Sequence, residues 1–295
     1  MKSIISKLFF FCCTLLCLYG TTWAEDLDDI LDSGTLKHLG IPYANFVTRD
    51  GRGLDVDLMR AFAEHLGVTY QFVESTWQDI IPDLTGITIR VKGDTVTKTG
   101  TSAKKGHVIS TGFTVLPWRK QIVAFSPQTF PSGIWLVARS DSALTPIKPT
   151  GDIEQDIALV KERLRGFSIL GLQGSCLSPA LYGIDKTGAI IRYFPPDGDL
   201  SEMIPSIIAK NADATLIDVP VALMGLAKWP GKIKVIGPVS KPQQMACAFA
   251  QDSPKLRQAF ADFFAGFIKQ GKYKTLVRKY YPSVFIYYSD FLAER

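Results

Sequence analysis

The chain has 295 residues, of which 46% are hydrophobic and 21% are charged. This balance is typical of a globular protein, and it excludes disordered and fibrous classes. The length exceeds that of most single compact domains, so we expect two domains of about 100 to 150 residues each. The formal net charge is +5, and no basic block is interleaved with aromatic residues, so we expect no nucleic-acid partner.

The first 24 residues have the pattern of a secretory signal peptide. Lys2 and Lys7 supply a positive start, Leu8–Tyr19 is an apolar run, and Thr22-Trp23-Ala24 provides a small residue for cleavage. A membrane helix is the alternative, but this run is much shorter than the roughly 20 residues that a span needs. We therefore predict a mature chain that begins at Glu25 and is free in an exported compartment.

Cysteine and histidine usage does not indicate a metal site. Removal of the signal leaves Cys176 and Cys247, and an oxidising compartment permits one disulfide between them without requiring it. His38, His65 and His107 are scattered, and none has a partner at ligand spacing. The common phosphate-binding, serine-hydrolase and zinc-protease motifs are also missing from the sequence. We expect no metal, no cofactor and no catalytic residue.

The predicted elements of the first part of the chain alternate between strands and helices. A polar lead-in over 25–32 is followed by a strand over 36–41, an amphipathic helix over 54–66, a strand over 68–73 and a short helix over 80–84. This order predicts a parallel α/β sheet. An alternating run over 87–99, split by Lys92-Gly93-Asp94, predicts an exposed β-hairpin that we expect to be peripheral to binding.

A Pro- and Ser-rich segment over 140–150 indicates a boundary, after which a second α/β unit begins. Helices are predicted over 152–164, directly after the turn Gly174-Ser175-Cys176, over 200–209 and from Ser253-Pro254 to Gly271. Strands are predicted over 108–115, 122–125, 134–138, 167–172, 214–217, 233–236 and 245–250. The last of these strands, over 245–250, is predicted to cross between the two units.

Segments spread over almost the whole mature chain carry a family resemblance. They are Gly40–Phe46 with Asp50–Leu58, Trp77–Leu84, Gly112–Arg119 with Val123–Pro127, Gly171–Cys176, Asp213–Pro220, and Gly271–Tyr273 with Lys279–Pro282. In order and spacing they resemble the bacterial extracellular solute-binding proteins of family 3, which bind polar amino acids. Gly112–Arg119 is the strongest match, because it is similar to the family segment that ends in a ligand-binding arginine.

The resemblance implies an α/β fold of the type 2 periplasmic-binding class. Such a fold has two lobes, each a mixed and mainly parallel sheet flanked by helices, joined by two hinge segments. For this chain the resemblance implies that residues 25–138 and 243–295 form lobe 1 and that residues 139–242 form lobe 2, with crossing segments near 134–142 and 238–247. It also implies a function: the periplasmic binding component of an ABC-type uptake system. We expect a monomer that delivers an amino acid or a similar small zwitterion to an inner-membrane permease.

Two residues in the matched segments suit the two charges of an amino acid. Arg119 can grip both oxygens of a carboxylate, and Asp218 can accept from an ammonium group. Each also has an ordinary interpretation. Arg119 could be a surface charge paired with any acid, and Asp218 could be a helix cap before Pro220. The other candidate ligand-binding residues are the donors Thr114, Ser175 and Cys176, the loop residue Gly112, and the aromatic walls Tyr43 and Trp77.

The resemblance has departures, and other functions remain open. Cys176 stands where the family usually has Thr or Ser. Gly112 occupies a position where the family often has Ser or another polar residue. One alternative is a periplasmic dehydratase on the same fold, which would need an acid such as Glu74 or Glu202 in the pocket. A second is a ligand-sensing accessory module. We disfavour a cell-wall lytic enzyme, because the sequence ends at Arg295 without room for a catalytic domain.

Overall fold

The computed structural model describes residues 26–195, 198, 200–282, 284–288 and 290–292. The predicted signal peptide, residues 1–24, lies outside the described residues. Two five-stranded sheets, each accompanied by helices, form the two lobes that the sequence predicts. In the described part of the chain, no helix is both long enough and apolar enough to span a bilayer.

The strands, in chain order, are β1 (Thr35–Gly40), β2 (Thr69–Glu74), β3 (Ile87–Lys92), β4 (Thr95–Thr101), β5 (Val108–Ile109), β6 (Val123–Phe125), β7 (Phe130–Ser132), β8 (Ile134–Arg139), β9 (Ser168–Gly171), β10 (Ile190–Tyr193), β11 (Ala214–Asp218), β12 (Ile233–Pro238), β13 (Gln243–Met245) and β14 (Ala248–Ala250). The helices are α1 (Leu27–Ser33), α2 (Leu54–Leu66), α3 (Ile80–Thr85), α4 (Ile153–Glu162), α5 (Met203–Ile208), α6 (Val219–Lys228), α7 (Pro254–Lys269), α8 (Lys272–Tyr280) and α9 (Val284–Tyr287). Short 3-10 turns lie at Arg119–Gln121, Pro179–Tyr182, Ile184–Lys186 and Leu200–Glu202.

The sheet of the first lobe has the strand order β2-β1-β5-β14-β6. Strand β1 is parallel to β2 and β5, which confirms the parallel arrangement expected from alternating strands and helices. Strand β14 returns from the second lobe and pairs antiparallel with β5 and β6. Leu36 and Leu39 of β1 are fully buried and belong to different apolar clusters, so this strand is covered on both faces.

The sheet of the second lobe has the order β10-β9-β11-β8-β12. Strands β9, β10 and β11 are parallel, whereas β8 pairs antiparallel with both β11 and β12. Our sequence-based division placed residues 134–138 in lobe 1. The structure places them in the second sheet instead, because β8 is mostly buried and has a hydrogen-bonded neighbour on each side.

The chain crosses between the lobes through β7 and β13, which pair antiparallel with each other. Phe130 lies opposite Met245, and Ser132 lies opposite Gln243. The second crossing falls within the predicted segment 238–247. The first crossing, through β7, lies before the predicted segment 134–142. That segment instead contains β8, an internal strand of the second sheet.

Two predicted additions to the basic fold are present. Strands β3 and β4 form the hairpin, with the turn at Gly93-Asp94. Helix α4 begins after Asp152, whose carboxylate accepts from the backbone N–H groups of Glu154 and Gln155. These caps explain why the polar segment after Thr150 enters a helix.

Two local predictions were wrong. The polar lead-in contains helix α1, which buries Ile30 and ends at Gly34 in a left-handed conformation. Residues 177–195, all of which the structure describes, contain no α-helix. The chain forms 3-10 turns there instead, which begin at Pro179 and are interrupted by Gly183. Proline and a left-handed glycine only four residues apart leave too little chain for a regular helix.

Asp26 joins the two ends of the first lobe. Its carboxylate accepts from the backbone N–H of Leu27 at the start of α1, at 2.8 Å. It also accepts from the N–H groups of Lys255 and Leu256 in the first turn of α7, at 3.1 and 2.8 Å. One side chain therefore satisfies donors of two helices that lie far apart in sequence.

We expect Asp26→Ala to lower the free energy of unfolding by about 1 to 3 kcal/mol, because loss of a cap typically costs about 1 kcal/mol and here two helices lose one. Asp28→Ala is the matched control. Asp28 lies in the same helix and only forms an exposed ion pair with Lys255, so its removal should have little effect. Urea unfolding of both variants measures the difference, and equal stabilities would contradict the double cap.

Candidate ligand-binding site

All eight candidate residues line one cavity between the two lobes. The cavity is lined by Tyr43, Trp77, Gly112, Thr114 and Arg119 from the first lobe and by Ser175, Cys176, Leu177, Leu200 and Asp218 from the second. Its free volume is about 10 Å³, which is room for about one water molecule. An amino acid does not fit into this volume, so the cleft is closed in this arrangement.

Arg119 is a buried cation with an unused donor. Its side chain is 4% exposed, and Nη1 donates to the carbonyl oxygen of Thr114 at 2.8 Å. The guanidinium carbon lies 3.9 Å from the ring centroid of Phe113. Among the described residues the buried Nε has no hydrogen-bond partner. Burial lowers the pKa of Arg119 to about 10, so the group stays charged at neutral pH and can receive an anion.

Asp218 provides the opposite charge from the second lobe. It ends β11 and precedes α6, but its side chain makes no capping hydrogen bond, which removes the helix-cap interpretation. Instead the carboxylate accepts from the hydroxyl of Tyr43, and the Cys176 Sγ lies 3.7 Å from both of its oxygens. Burial raises the pKa of Asp218 to about 6, so the carboxylate is mostly ionised at neutral pH.

The side-chain donors around these two charges already have hydrogen-bond partners within the protein. Burial raises the pKa of the Cys176 thiol, so it is neutral and donates to Asp218. The Ser175 hydroxyl donates to the carbonyl of Leu172 and accepts from the N–H of Leu177, each at 3.0 Å. Ser175 therefore holds the turn with its side chain. The helix N-terminus expected to support this turn does not form.

Gly112 is required by the geometry of its loop. Its φ of +61° is left-handed, and an added Cβ would lie 2.5 Å from the Phe46 ring. The backbone N–H of Gly112 donates to a carboxylate oxygen of Asp55 at 2.6 Å. A polar side chain of the kind frequent in the family does not fit here, because Phe46 occupies the space.

The aromatic wall is held by the C-terminal part of the chain. Tyr43 meets Trp77 edge to face, with ring centroids 5.5 Å apart. The loop after Tyr43 is tethered through Asn45, whose backbone N–H donates to the Tyr281 hydroxyl at 3.0 Å. The Asn45 amide also donates to the carbonyl of Tyr280 at 2.9 Å. Residues at the end of α8 thus position the loop that closes over Asp218.

The hairpin lies close to the Arg119 turn. The side-chain amide of Gln121 donates to the carbonyl of Asp94 at the hairpin tip, at 2.7 Å. Ile87, Ile89 and Val96 pack against the apolar cluster that contains Trp118. The hairpin therefore supports the segment that carries Arg119. That the hairpin is peripheral to ligand binding stays a prediction.

Sequence reasoning missed Asp55 as a supporting residue. Asp55 is 3% exposed and lies in the first turn of α2, where its carboxylate holds the Gly112 loop. Its sequence signal, an acidic residue at a helix start, is common and indicates a surface position more often than a buried one. Burial raises the pKa of Asp55 to about 7.

Comparison with known proteins identifies the family. The sequence profile of the bacterial extracellular solute-binding proteins, family 3, matches residues 40–99 and 95–283. The chain belongs to this family.

Relatives in the family differ in length. The histidine-binding periplasmic protein of Salmonella typhimurium is 24% identical over 254 residues, which cover 81% of this chain and 84% of that protein. The membrane-bound lytic murein transglycosylase F of Desulfosudis oleivorans is 24% identical over 233 residues. This match covers 79% of the chain but only 44% of the transglycosylase, so the chain spans less than half of that relative.

Solved structures agree with the two-lobed fold. A mutant of ArgBP from T. maritima has 26% sequence identity and a TM-score of 0.67, with 87% of this chain and 99% of that one covered. The ancestral amino acid-binding protein AncCDT-1, a precursor of cyclohexadienyl dehydratase, has 25% identity and a TM-score of 0.66, with 86% and 98% covered.

Asp55 makes the stability of this protein depend on pH. The folded state holds the Asp55 proton more tightly than the unfolded state does, so this group lowers the free energy of unfolding as the pH rises from about 4 to about 7. The contribution has a slope of at most about 1.4 kcal/mol per pH unit. Asp55→Asn keeps an acceptor for Gly112 and removes the titration, so its loss of stability between pH 5 and 7.5 should be smaller than that of wild type.

Asp57→Asn is the control in the same helix. Lys279 and Tyr280 keep the pKa of Asp57 below its usual value, so this carboxylate is ionised throughout that range in both states. Its removal should leave the pH dependence between 5 and 7.5 unchanged. Urea unfolding at the two pH values decides, and an unaltered slope in Asp55→Asn would show that Asp55 does not titrate there.

Proposed function

We propose that this protein is the periplasmic binding component of an ABC-type uptake system. It captures an amino acid between two closing lobes and delivers it, as a monomer, to an inner-membrane permease. Family membership and the amino-acid-binding relatives support a binding function. Export to the periplasm and the permease partner belong to the same proposal, and the predicted signal peptide supports export.

The observation that carries the proposal is a pair of buried opposite charges that do not neutralise each other directly. Arg119 and Asp218 line the same cavity from opposite lobes. Among the described residues, Arg119 donates to the Thr114 carbonyl and Asp218 accepts from the Tyr43 hydroxyl. No ion pair joins the described side chains of Arg119 and Asp218. A free amino acid has a carboxylate for Arg119 and an ammonium for Asp218, so it pairs both charges at once.

The same geometry explains why binding and closure are coupled. With the lobes apart, Arg119 and Asp218 belong to separate bodies, and a bound zwitterion joins them. Movement about β7 and β13 allows this without unfolding either sheet, as in other hinge closures. The nearly filled cavity is a closed form without ligand, and a bound amino acid needs the lobes further apart and takes the place where Tyr43 and Cys176 now donate to Asp218.

Two other functions are separable by experiment. A dehydratase related to AncCDT-1 would convert prephenate or arogenate, so incubation with either compound followed by absorbance of an aromatic product tests it. The second alternative is a ligand-sensing accessory module. That role predicts the same ligand but association with a receptor rather than a permease, which co-purification from membranes distinguishes.

We expect Arg119→Ala and Asp218→Asn each to weaken amino-acid binding about tenfold to 150-fold, because a charge-assisted hydrogen bond contributes about 1.5 to 3 kcal/mol. Arg119→Lys should restore binding only in part, since an ammonium does not form the two-pronged contact. Asp218→Asn should spare a deaminated analogue of the ligand. A thermal-shift screen selects the ligand, and calorimetric titration measures affinity.

Lys120→Ala and Asp252→Asn are the matched controls. Both remove an exposed charge of the same sign as the tested one, and neither residue lines the cavity. They should bind like wild type. If Arg119→Ala and Asp218→Asn also bind the amino acid like wild type, the zwitterion site is wrong. If no amino acid raises the melting temperature in the thermal-shift screen, the ligand is not an amino acid and the proposal is wrong.

A further inference from the structure

A second, larger cavity adjoins the closed site. It has a volume of about 440 Å³ and shares Trp77 and Leu200 with the small cavity around Asp218. The first lobe lines it with Ile41, Pro42 and the end of β2 with the loop that follows. The two cavities meet at Trp77 and Leu200, and we call the larger one the side-chain chamber.

The side-chain chamber has more negative than positive charge among its described lining residues. Glu74 and Asp79 contribute carboxylates, and Arg49 contributes one guanidinium. The Asp79 carboxylate accepts from the Thr76 hydroxyl at 2.8 Å. The side-chain carboxylate of Glu74, the last residue of β2, forms no hydrogen bond or ion pair with any described residue.

The position of Glu74 follows from the sheet. In the parallel pairing of β1 and β2, Glu74 lies opposite Gly40, which is three residues before Tyr43. Its carboxylate therefore stands at the ligand end of the sheet, beside the loop that carries the aromatic wall. Because it is exposed to the chamber without a protein partner, it can receive a ligand group at little cost to the fold.

Trp77 adds a second feature that favours cations. Its indole borders both cavities, and the face of an indole attracts ammonium and guanidinium groups. A neutral or acidic side chain would gain nothing from Glu74. A cationic side chain would gain both from the carboxylate and from the ring.

We propose that Glu74 is a specificity-determining residue that selects an amino acid with a long, positively charged side chain. The ligand's α-carboxylate and α-ammonium occupy the site of Arg119 and Asp218, and its side chain runs along Trp77 to the carboxylate of Glu74. This inference rests on the proposed function, because it assumes an amino acid in the closed site.

The test compares charged ligands with neutral ones of the same shape. We expect wild-type protein to bind L-arginine at least about fivefold more tightly than L-citrulline, and L-lysine at least about fivefold more tightly than L-norleucine, in calorimetric titrations. Glu74→Gln should reduce this preference to about twofold or less while leaving the affinity for L-citrulline nearly unchanged.

Glu64→Gln is the control, because it removes an exposed carboxylate of the first lobe in a groove between α2 and α7, away from the chamber. It changes the net charge equally and should keep the wild-type preference. The inference is overturned if wild type binds L-citrulline as tightly as L-arginine, or if Glu74→Gln keeps the preference. In either case the proposed function stands provided that neutral amino acids bind and Arg119→Ala weakens their binding about tenfold or more. If no amino acid binds, both proposals fall.

Discussion

The structure depends on the burial of two opposite charges in two separate lobes. Arg119 and Asp218 are 4% and 1% exposed, and a buried charge without a partner is costly. In the closed arrangement the protein supplies only partial compensation. Arg119 has one carbonyl and an aromatic ring, while Asp218 has a phenol and a thiol. Under the proposed function, this incomplete pairing is what a zwitterionic ligand completes.

The rest of the first lobe holds the binding segments in place around Arg119. Asp55 fixes Gly112, the Thr114 carbonyl fixes the guanidinium, and the hairpin tip holds the turn that follows. Tyr280 and Tyr281 tether the loop of Tyr43 from the far end of the chain. Binding residues on loops are precise here because each loop is bonded to a buried group or to a helix end.

The cleft divides into a filled part and an empty part. Around Asp218 the protein's own side chains leave about 10 Å³, whereas the side-chain chamber beyond Trp77 has about 440 Å³. The first part is suited to the groups that every amino acid shares. The second has the space and the charges to distinguish one side chain from another. A weak thiol donor at Cys176 is easily displaced, which suits a carboxylate that exchanges protein donors for a ligand's ammonium.

The sequence by itself determined most of the local elements and singled out eight residues that all line the closed cavity. Helices α2 and α7 follow from apolar residues three and four apart, and the parallel first sheet follows from alternating strands and helices. The order of the matched segments brought Arg119 and Asp218 together as candidates. Only the tertiary structure decided which lobe contains β8, since a buried strand reads the same in either sheet. It alone showed that Asp26 caps α7, that Asp55 holds Gly112 and that Glu74 faces an adjoining chamber. Each of these is a contact, or a missing contact, between residues distant in sequence, and no local pattern encodes such contacts.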